Sequence, residues 1–440
     1  MRRSRLALVS LSLLFAACGP RRAPEPVTVE LLDIGPWHQR EYAEWGNRAL
    51  ADFTRETGVV VKRLAAPEAP DEQLVLERQL LEGGAPTPDV YIIDAIWPGI
   101  LAEHLLDLRP HLAAEAARHF PALVANNEVA GRLVAMPYHA NVGVLFFRTD
   151  LLREYGYAGP PATWEELGTM AARIQKGERA KGHHDFWGYV WQGAPYEGLT
   201  CNALEWQASE GGGRIVEDDG TISVHNPRVI KAWERAAAWV GAISPPEVIG
   251  YREVEAEKVW RAGNAAFMRS WPSYYMPSQG PASAVRGRFD VALMPGGSSG
   301  RAVVLGENAL AVSRYSRHVD ESIALVRYLS RRDVQLSRAR ATSMPPTLPD
   351  LYDDPQVVKA NPYYPSLEHA FRGDALSRPS SVSGRKYADV SRVYARAVHS
   401  VLTRQQKAAA AVAALERELE WITGLPVARP DVPRDAPRRE

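Results

Sequence analysis

The stretch "PDVYIID", residues 88–94, predicts a buried strand that ends in a carboxylate, Asp94. A short apolar run bounded by Pro88 and a charge is typical of a strand covered on both faces. Upstream, "VTVELLDI" and "VVVKRL" predict two more strands, separated by a helix over 41–57 that stops at Gly58. A second helix, "DEQLVLERQLLEGG", precedes the third strand. This βαβαβ order predicts a three-layer α/β lobe with ligands beyond the carboxyl ends of its strands.

Local capping signals predict further helices along the chain. "ATWEELGTMAARIQKG" has Thr163 as N-cap, Glu166 three residues later and Gly177 as its stop. "NPRVIKAWERAAAWVG" begins at the N-cap Asn226 with a proline in the first helical position. "NAAFMRSW" predicts a short strand that delivers Trp271 to a loop.

The composition is that of a globular protein with two or three lobes. Of 440 residues, 46% are hydrophobic and 24% are charged, and the 52 basic residues balance the 52 acidic ones. The sequence therefore gives no electrostatic reason to bind nucleic acid. The sequence has twelve Trp and seventeen Tyr, more aromatic surface than solvent-exposed loops require. These rings fit either a hydrophobic core or a sugar-binding groove, and composition does not separate the two.

The N-terminus predicts export. A basic "MRRSR", the apolar run "LALVSLSLLFAA" and Cys18 predict a lipoprotein signal peptide over 1–18, with Cys18 as the lipidated residue. The alternative is an ordinary signal peptide whose cleavage removes Cys18. The Pro-rich segments 19–26 and 426–440 predict a tether and a disordered tail. A lipidated Cys18 would tether the protein to a membrane without spanning it, and would leave Cys201 without a disulfide partner.

The sequence contains no convincing catalytic motif. "GGSSG", residues 296–300, matches a nucleophile elbow formally, but a strand-like run follows it instead of a helix, which predicts a hairpin loop. His183, His184 and Asp185 lack the spacing of a zinc site. Cys201 has no nearby base and is predicted to pack as a small hydrophobic residue. We expect no catalytic residue, no metal and no cofactor.

Three residues are candidates for a binding site. Asp94 follows a strand, although it also suits the N-cap of the next helix. Trp271 precedes a proline, in a position equally suited to a core residue. Arg378 also precedes a proline, which frees its guanidinium either for a cleft or for solvent.

Eight motifs together, in this order, resemble the bacterial extracellular solute-binding proteins of family 1, the lipoprotein receptors of ABC sugar importers. The resemblance covers about residues 27–424 and is nearest to the trehalose/maltose-binding branch. The motifs are "PDVYIIDAIWPG", "GRLVAMPYHANVGVLFFRTDLLREYGY", "PPATWEEL", "WGYVWQGAPYEGLTCNALEW", "SPP", "GNAAFMRSWP", "LYDDPQVVKANP" and "RPSSVSGRKYADVS".

The resemblance implies a two-lobe fold of the periplasmic-binding-protein type (type II), with ligand held in a cleft between lobes joined by hinge crossovers. It implies an N-lobe of residues 27–136 plus about 300–345. The C-lobe is expected over 137–299 plus about 346–425. The same resemblance implies a monomeric receptor, not an enzyme.

Ligand contacts can also be inferred from the resemblance. It implies a ligand carboxylate at Asp94, an acidic sugar contact at Glu41 with Glu44 as the alternative, and a donating guanidinium at Arg378. It further implies ring contacts from the "YEGL" and "SWP" motifs. Those rings are Tyr196 and Trp271.

Two departures from the family pattern bear on the ligand. His139 and Asn141 stand where maltose-accepting members usually have Tyr and Asp, and Glu307 and Asn308 replace the usual Gly and Trp. One stacking ring is lost, and a carboxyl and an amide are gained. The change favours a compact, hydroxyl-rich ligand such as trehalose over a long maltodextrin, and it equally suits a different ligand.

The predicted function is an exported, lipid-anchored receptor, facing the periplasm or the extracellular side, that captures a disaccharide and delivers it to an ABC permease. Hinge closure around the ligand is the expected mechanism. One alternative is an exported glycoside hydrolase that uses a pair of carboxylates. Another is a binding protein for a non-sugar ligand such as a glycerophosphodiester, although the sequence shows no second basic anchor.

Overall fold

The structure is a computed structural model that describes residues 26–36, 39–67 and 70–428. The predicted signal peptide with Cys18, nearly all of the tether and most of the tail lie outside the described residues. The first residues of the predicted tail are ordered: Val427 pairs with Ile222 in a parallel bridge, and Ala428 donates to the Ile222 carbonyl at 2.8 Å. The prediction of disorder from residue 426 was wrong there, because these backbone groups find partners.

The strands are numbered in chain order. They are β1 (Thr28–Asp33), β2 (Val60–Ala65), β3 (Val90–Asp94), β4 (Glu128–Val129), β5 (Arg132–Leu133), β6 (Met136–His139), β7 (Val144–Arg148), β8 (Trp187–Val190), β9 (Ala265–Ser270), β10 (Phe289–Leu293), β11 (Val303–Val304), β12 (Asn308–Val312) and β13 (Ala375–Leu376).

The α-helices are numbered in the same way. They are α1 (Arg40–Thr57), α2 (Pro70–Glu82), α3 (Pro98–Leu101), α4 (Arg109–Ala116), α5 (Pro121–Asn126), α6 (Thr149–Glu154), α7 (Trp164–Ala180), α8 (Glu197–Ser209), α9 (Pro227–Trp239), α10 (Glu253–Arg261), α11 (Tyr275–Ser278), α12 (Val319–Leu329), α13 (Arg332–Thr342), α14 (Pro355–Ala360), α15 (Tyr364–His369), α16 (Ser380–Ser383), α17 (Tyr387–Leu402) and α18 (Ala408–Thr423).

The first lobe is built on a five-stranded sheet with the strand order β2-β1-β3-β12-β6. β1 pairs in parallel with both β2 and β3, whereas β12 is antiparallel to β3 and β6. The βαβαβ prediction is confirmed, including the stop of α1 at Gly58, which has φ 77°. The apolar residues of β3 are fully buried, as its continuous apolar run predicts. The parallel strands therefore direct their carboxyl ends, and Asp94, to one edge of the sheet.

The second lobe is built on a four-stranded sheet with the strand order β10-β7-β9-β8. β8 is parallel to β9, while β7 is antiparallel to β9 and β10. Helices α8, α9, α17 and α18 pack on one another beside this sheet. The largest hydrophobic core of the described residues lies here, and separate clusters fill the first lobe. This arrangement confirms the predicted two-lobe α/β fold.

The chain crosses between the lobes more than once, and the crossings hydrogen-bond to each other. Gly143 donates its backbone N–H to the Val304 carbonyl at 3.2 Å, and Gly306 donates to the Asn141 carbonyl at 2.8 Å. The predicted lobe boundary at 136/137 falls inside β6, which belongs to the first sheet. The exact domain limits stay a prediction.

The capping signals predicted helix starts better than helix ends. Thr163 accepts from the Glu166 N–H at 3.1 Å, and Asn226 caps α9, as predicted. The predicted stop at Gly177 was wrong, because α7 continues to Ala180. A Cβ at position 177 would lie 2.1 Å from the Tyr155 hydroxyl oxygen, so this glycine makes room for a packed ring.

Two other predictions concern the remaining motifs. The "GGSSG" segment forms a loop closed by a bridge between Gly297 and Gly300, as predicted. Cys201 is buried in α8 within the second-lobe core, and burial raises the pKa of its thiol to about 12.

Over residues 26–36, 39–67 and 70–428, we find no helix with the length and apolar character needed to cross a membrane.

Candidate functional site

A cleft of about 620 Å³ lies between the two lobes, beyond the carboxyl end of β3. The structure brings eight of the nine predicted ligand-binding residues into its lining. They are Asp94, His139, Asn141, Tyr196, Trp271, Glu307, Asn308 and Arg378.

Glu41 is the predicted site residue that the structure does not bring to the cleft. It is exposed in the first turn of α1 and is absent from the lining, which instead includes Gln39. The buried face of α1 begins at Tyr42, so the adjacent position 41 turns toward solvent. The alternative, Glu44, is also exposed and pairs with Arg40 at 2.6 Å.

Neighbouring strand ends position three of the polar lining residues. Asn308, the first residue of β12, is in register with Asp94 at the end of β3 and with His139 at the end of β6. Asp94 accepts a hydrogen bond from the Ile96 N–H at 3.2 Å. Asp94, His139 and Asn308 therefore lie close together at one edge of the first-lobe sheet.

Arg378 lies at the centre of the polar contacts between the lobes. Its Nη1 donates to the Glu197 carboxylate at 2.8 Å, and its Nη2 donates to the Leu305 carbonyl at 3.3 Å and lies 3.5 Å from Asp94 Oδ1. The residue is buried. Protein acceptors therefore already engage both Nη atoms, and Nε is the nitrogen without a partner among the described residues.

Glu197 begins α8 and is held by several groups at once. Tyr387 and Ser391 donate to its two carboxylate oxygens at 2.5 Å each, in addition to Arg378. Such a fully bonded carboxylate has little capacity left for a ligand hydroxyl. Glu197 therefore joins α8, α17 and the segment carrying Arg378, and stiffens one side of the cleft.

Glu307 has an uneven set of partners. Its Oε1 accepts from Asn127 at 2.6 Å and from Asn126 at 3.2 Å, whereas its buried Oε2 has no partner among the described residues. Burial, with the charge of Asp94 as a smaller contribution, raises the pKa of Glu307 to about 8. Burial also raises the pKa of Asp94.

Other lining residues carry buried polar atoms that lack a partner within the described part of the chain. They are Nδ1 of His139, Oδ1 of Asn141 and Nε of Arg378. Burial, assisted by the charge of Arg338, lowers the pKa of His139 to about 3, so its ring is uncharged at neutral pH. Since buried polar groups are normally hydrogen-bonded, this part of the cleft lacks partners that a bound molecule or ordered water would provide.

The aromatic side of the cleft is organised by Glu253, which sequence reasoning missed. Tyr196 donates its hydroxyl hydrogen to Glu253 Oε2 at 2.6 Å, and the Trp271 indole N–H donates to Oε1 at 3.4 Å. Gly198 leaves space for the Tyr196 ring, since a Cβ there would lie 2.2 Å from the hydroxyl oxygen. Nothing in the local pattern at the start of α10 marks Glu253 as a partner of residues far away in sequence.

A fully buried ion pair supports the Trp271 ring from behind. The Arg269 guanidinium lies 4.1 Å from the Trp271 ring centroid and pairs with Glu205 at 2.7 Å, with both side chains inaccessible to solvent. Glu205 also accepts from the Val304 N–H at 3.2 Å, and it occupies the space that a side chain at Gly143 would fill. The pair therefore connects the stacking ring to two interlobe crossings.

The lining is acidic overall. Its described residues carry four carboxyl groups and two guanidinium groups: Asp94, Glu197, Glu253, Glu307, Arg252 and Arg378. Arg378 is engaged by carboxylates, and Arg252 lies 4.8 Å from the centroid of the Tyr196 ring. Within the described ranges, no group of three His, Cys, Asp or Glu side chains is arranged to hold a metal ion.

Comparisons with known proteins agree with this architecture. A family profile described as "Bacterial extracellular solute-binding protein" matches residues 48–366. A "Probable ABC transporter-binding protein" from Deinococcus radiodurans is 46% identical over 374 residues, which cover 84% of this chain and 89% of that protein.

Solved structures give the same result. Maltose-bound MalE3 of T. maritima superposes with a TM-score of 0.82 at 30% identity, covering 90% of this chain and 100% of the other. An ABC transporter solute-binding protein from Thermotoga lettingae, bound with α-D-tagatose, superposes with a TM-score of 0.80 at 21% identity, covering 90% and 100%. The fold, the cleft and the extent of these matches together show that this chain belongs to the bacterial extracellular solute-binding protein family.

Proposed function

We propose that this protein is the receptor of an ABC importer and that it captures a neutral disaccharide, trehalose or maltose, in the interlobe cleft. The observation that carries the proposal is the pairing of two surfaces in one cavity. Two aromatic rings with bonded polar edges, Tyr196 and Trp271, share the lining with buried polar atoms that have no partner among the described residues. Sugars present apolar ring faces and hydroxyl edges, and a hydroxyl both donates and accepts.

Size and charge support the same ligand class. A cavity of about 620 Å³ is in the range of small-molecule sites. The excess of carboxyl over guanidinium groups opposes an anionic ligand, and Arg378 is already bonded to Glu197. The glycerophosphodiester alternative is therefore disfavoured, because a phosphate would meet more carboxyl groups than the two guanidinium groups of Arg252 and Arg378.

The proposed mechanism is closure of the lobes on the ligand. Asp94 belongs to the first lobe, and Trp271 follows β9 of the second. A ligand that contacts both stabilises the closed arrangement relative to an open one, which shifts the population of the two states. The interlobe crossings near Asn141 and Gly306 are the segments expected to flex.

The N-terminal sequence and the relatives support a proposal for the cellular setting. We propose that the protein is exported, anchored through a lipid on Cys18, monomeric and active beside an ABC permease. The relative from Deinococcus radiodurans, described as an ABC transporter-binding protein, supports the permease partner. Mass spectrometry of the membrane fraction would test the anchor: the expected product begins at a diacylated Cys18, and a soluble chain that lacks Cys18 would contradict it.

Titration calorimetry with trehalose, maltose, sucrose and glycerophosphocholine tests the ligand class. We expect binding of trehalose or maltose with a micromolar Kd, weaker binding of sucrose, and no heat from glycerophosphocholine. Chromatography of the same samples after a long incubation tests the hydrolase alternative, since a hydrolase would release monosaccharide. Released glucose, or tight binding of glycerophosphocholine alone, would contradict the proposed receptor.

A further inference from the structure

Two amides fix the orientation of the Glu307 carboxyl. Nδ2 of Asn126 also donates to the Ala95 carbonyl at 2.8 Å, and Nδ2 of Asn127 also donates to the Leu123 carbonyl at 2.9 Å. A backbone carbonyl only accepts, so these contacts fix which end of each amide carries hydrogen. Both amides therefore present N–H groups to the same carboxyl oxygen, Oε1 of Glu307.

The other carboxyl oxygen of Glu307, Oε2, has no hydrogen-bond donor among the described residues. Oε2 is buried, and the described residues offer it neither a donor nor an acceptor. An ionised carboxylate spreads its charge over both oxygens and needs donors at both, whereas a neutral acid has a carbonyl oxygen and a hydroxyl. Two donors on Oε1 and none on Oε2 match the neutral acid, with the hydrogen on Oε2.

We infer that Glu307 binds ligand as an uncharged carboxylic acid, donating the Oε2 hydrogen to an oxygen of a neutral carbohydrate, so that ligand binding requires this proton. The inference rests on the proposed function and specifies the ligand class further. An ammonium-bearing sugar would find no charge on Glu307. A sugar acid would meet the carboxylate of Asp94, which opposes its binding.

Charged and titratable groups face Glu307 from three segments of the chain. Burial raises its pKa to about 8, and it faces Asp94 from β3 and Arg378 from the segment before α16. His139 on β6 is uncharged above its lowered pKa of about 3, and the amides of Asn126 and Asn127 do not titrate. Burial also raises the pKa of Asp94, so the Glu307→Gln variant is needed to separate the titration of Glu307 from that of Asp94.

Calorimetric titrations with trehalose and maltose at pH 6, 7, 8 and 9 test the inference. For the sugar that binds, the affinity should be nearly constant from pH 6 to 7 and fall about tenfold between pH 7 and 9, since the pKa of Glu307 is about 8. Glu307→Gln, whose amide N–H replaces the acid hydrogen, should keep the affinity within about threefold at pH 7 and remove the pH dependence. Glu307→Leu should lose most of the affinity at every pH.

Controls separate this inference from the proposed function and from misfolding. Glu418→Gln changes an exposed carboxylate on α18, outside the cleft lining, and should leave the whole pH profile unchanged. Thermal unfolding of each variant establishes that it is folded. A sugar that binds equally at pH 6 and pH 9, or tighter binding of an amino sugar as pH rises, would overturn the inference while leaving the receptor function in place.

An infrared experiment on the ligand-free protein covers the case in which no sugar binds and the proposed function itself fails. The wild-type spectrum minus the Glu307→Gln spectrum should contain the C=O stretch of a protonated carboxyl at pH 6, and this band should disappear above pH 8. Its absence at pH 6 would show an ionised Glu307 and would overturn the inference directly.

Discussion

Tyr196 and Trp271 on one side of the cleft differ from Asn141 and Glu307 on the other in how their polar atoms are bonded. Both rings have their polar edges bonded to Glu253, while Asn141 Oδ1 and Glu307 Oε2 have no partner within the described chain. The rings are therefore prepared before ligand arrives, and the polar side is complete only with ligand. Preparation lowers the entropy lost on binding, and unpaired atoms make binding selective.

The aromatic side and the polar side also differ in the residues that hold them in place. Trp271 rests on the buried Arg269–Glu205 pair, which is bonded to an interlobe crossing through Val304. Glu307 rests on amides whose other hydrogen bonds go to backbone. Changes on the aromatic side should therefore alter both stability and affinity, whereas changes on the polar side should alter mainly selectivity.

The largest effect is expected from Arg269→Met, which removes the buried guanidinium that stacks on the Trp271 ring and pairs with Glu205. The variant leaves the Glu205 carboxylate buried without its cation, and such losses typically destabilise by about 3–5 kcal/mol. Urea unfolding at neutral pH measures the change. The double variant Glu205→Leu with Arg269→Met removes both charges and should recover part of the loss. Equal stability of Arg269→Met and wild type would show that the pair is unimportant.

An intermediate effect is expected from Trp271→Ala, which removes a ring but no buried charge. Loss of the stacking surface should weaken binding of the cognate sugar by about 30- to 100-fold, because large aromatic contacts dominate such sites. Titration calorimetry measures the change, and Trp271→Phe is the matched control, which should retain most of the affinity. An unchanged affinity in folded Trp271→Ala would remove this ring from the binding site.

Sequence reasoning located the polar side of the cleft more completely than the aromatic side. Asp94 was predicted from its place after an apolar run, and His139 and Asn308 came from the resemblance to the family; the structure brings all three to one sheet edge. Trp271 was found through its motif. Its support, Arg269, could not be, because the pairing with Glu205 spans 64 positions.

The wrong predictions have the same physical origin. Glu41 was assigned to the cleft, but the orientation of α1 depends on which of its faces packs into the core, beginning at Tyr42. Gly177 was assigned as a helix stop, but it accommodates the ring of Tyr155 inside a continuing helix. Both errors treat as local a feature that tertiary packing decides.

The smallest effect is expected from Gly306→Ala. Gly306 lies in an interlobe crossing and faces the Trp271 ring. A Cβ at position 306 would lie 2.8 Å from Trp271 Cζ3, so the ring must shift by a few tenths of an ångström to accommodate it. We expect about threefold to tenfold weaker sugar binding, since a small displacement disturbs a ring contact without removing it. Gly250→Ala is the matched control, because a Cβ there would have no neighbour within 4 Å in the described part of the chain. If both alanine variants bind like wild type, the Trp271 ring is free to move, and the aromatic side is less rigid than its hydrogen bonds indicate.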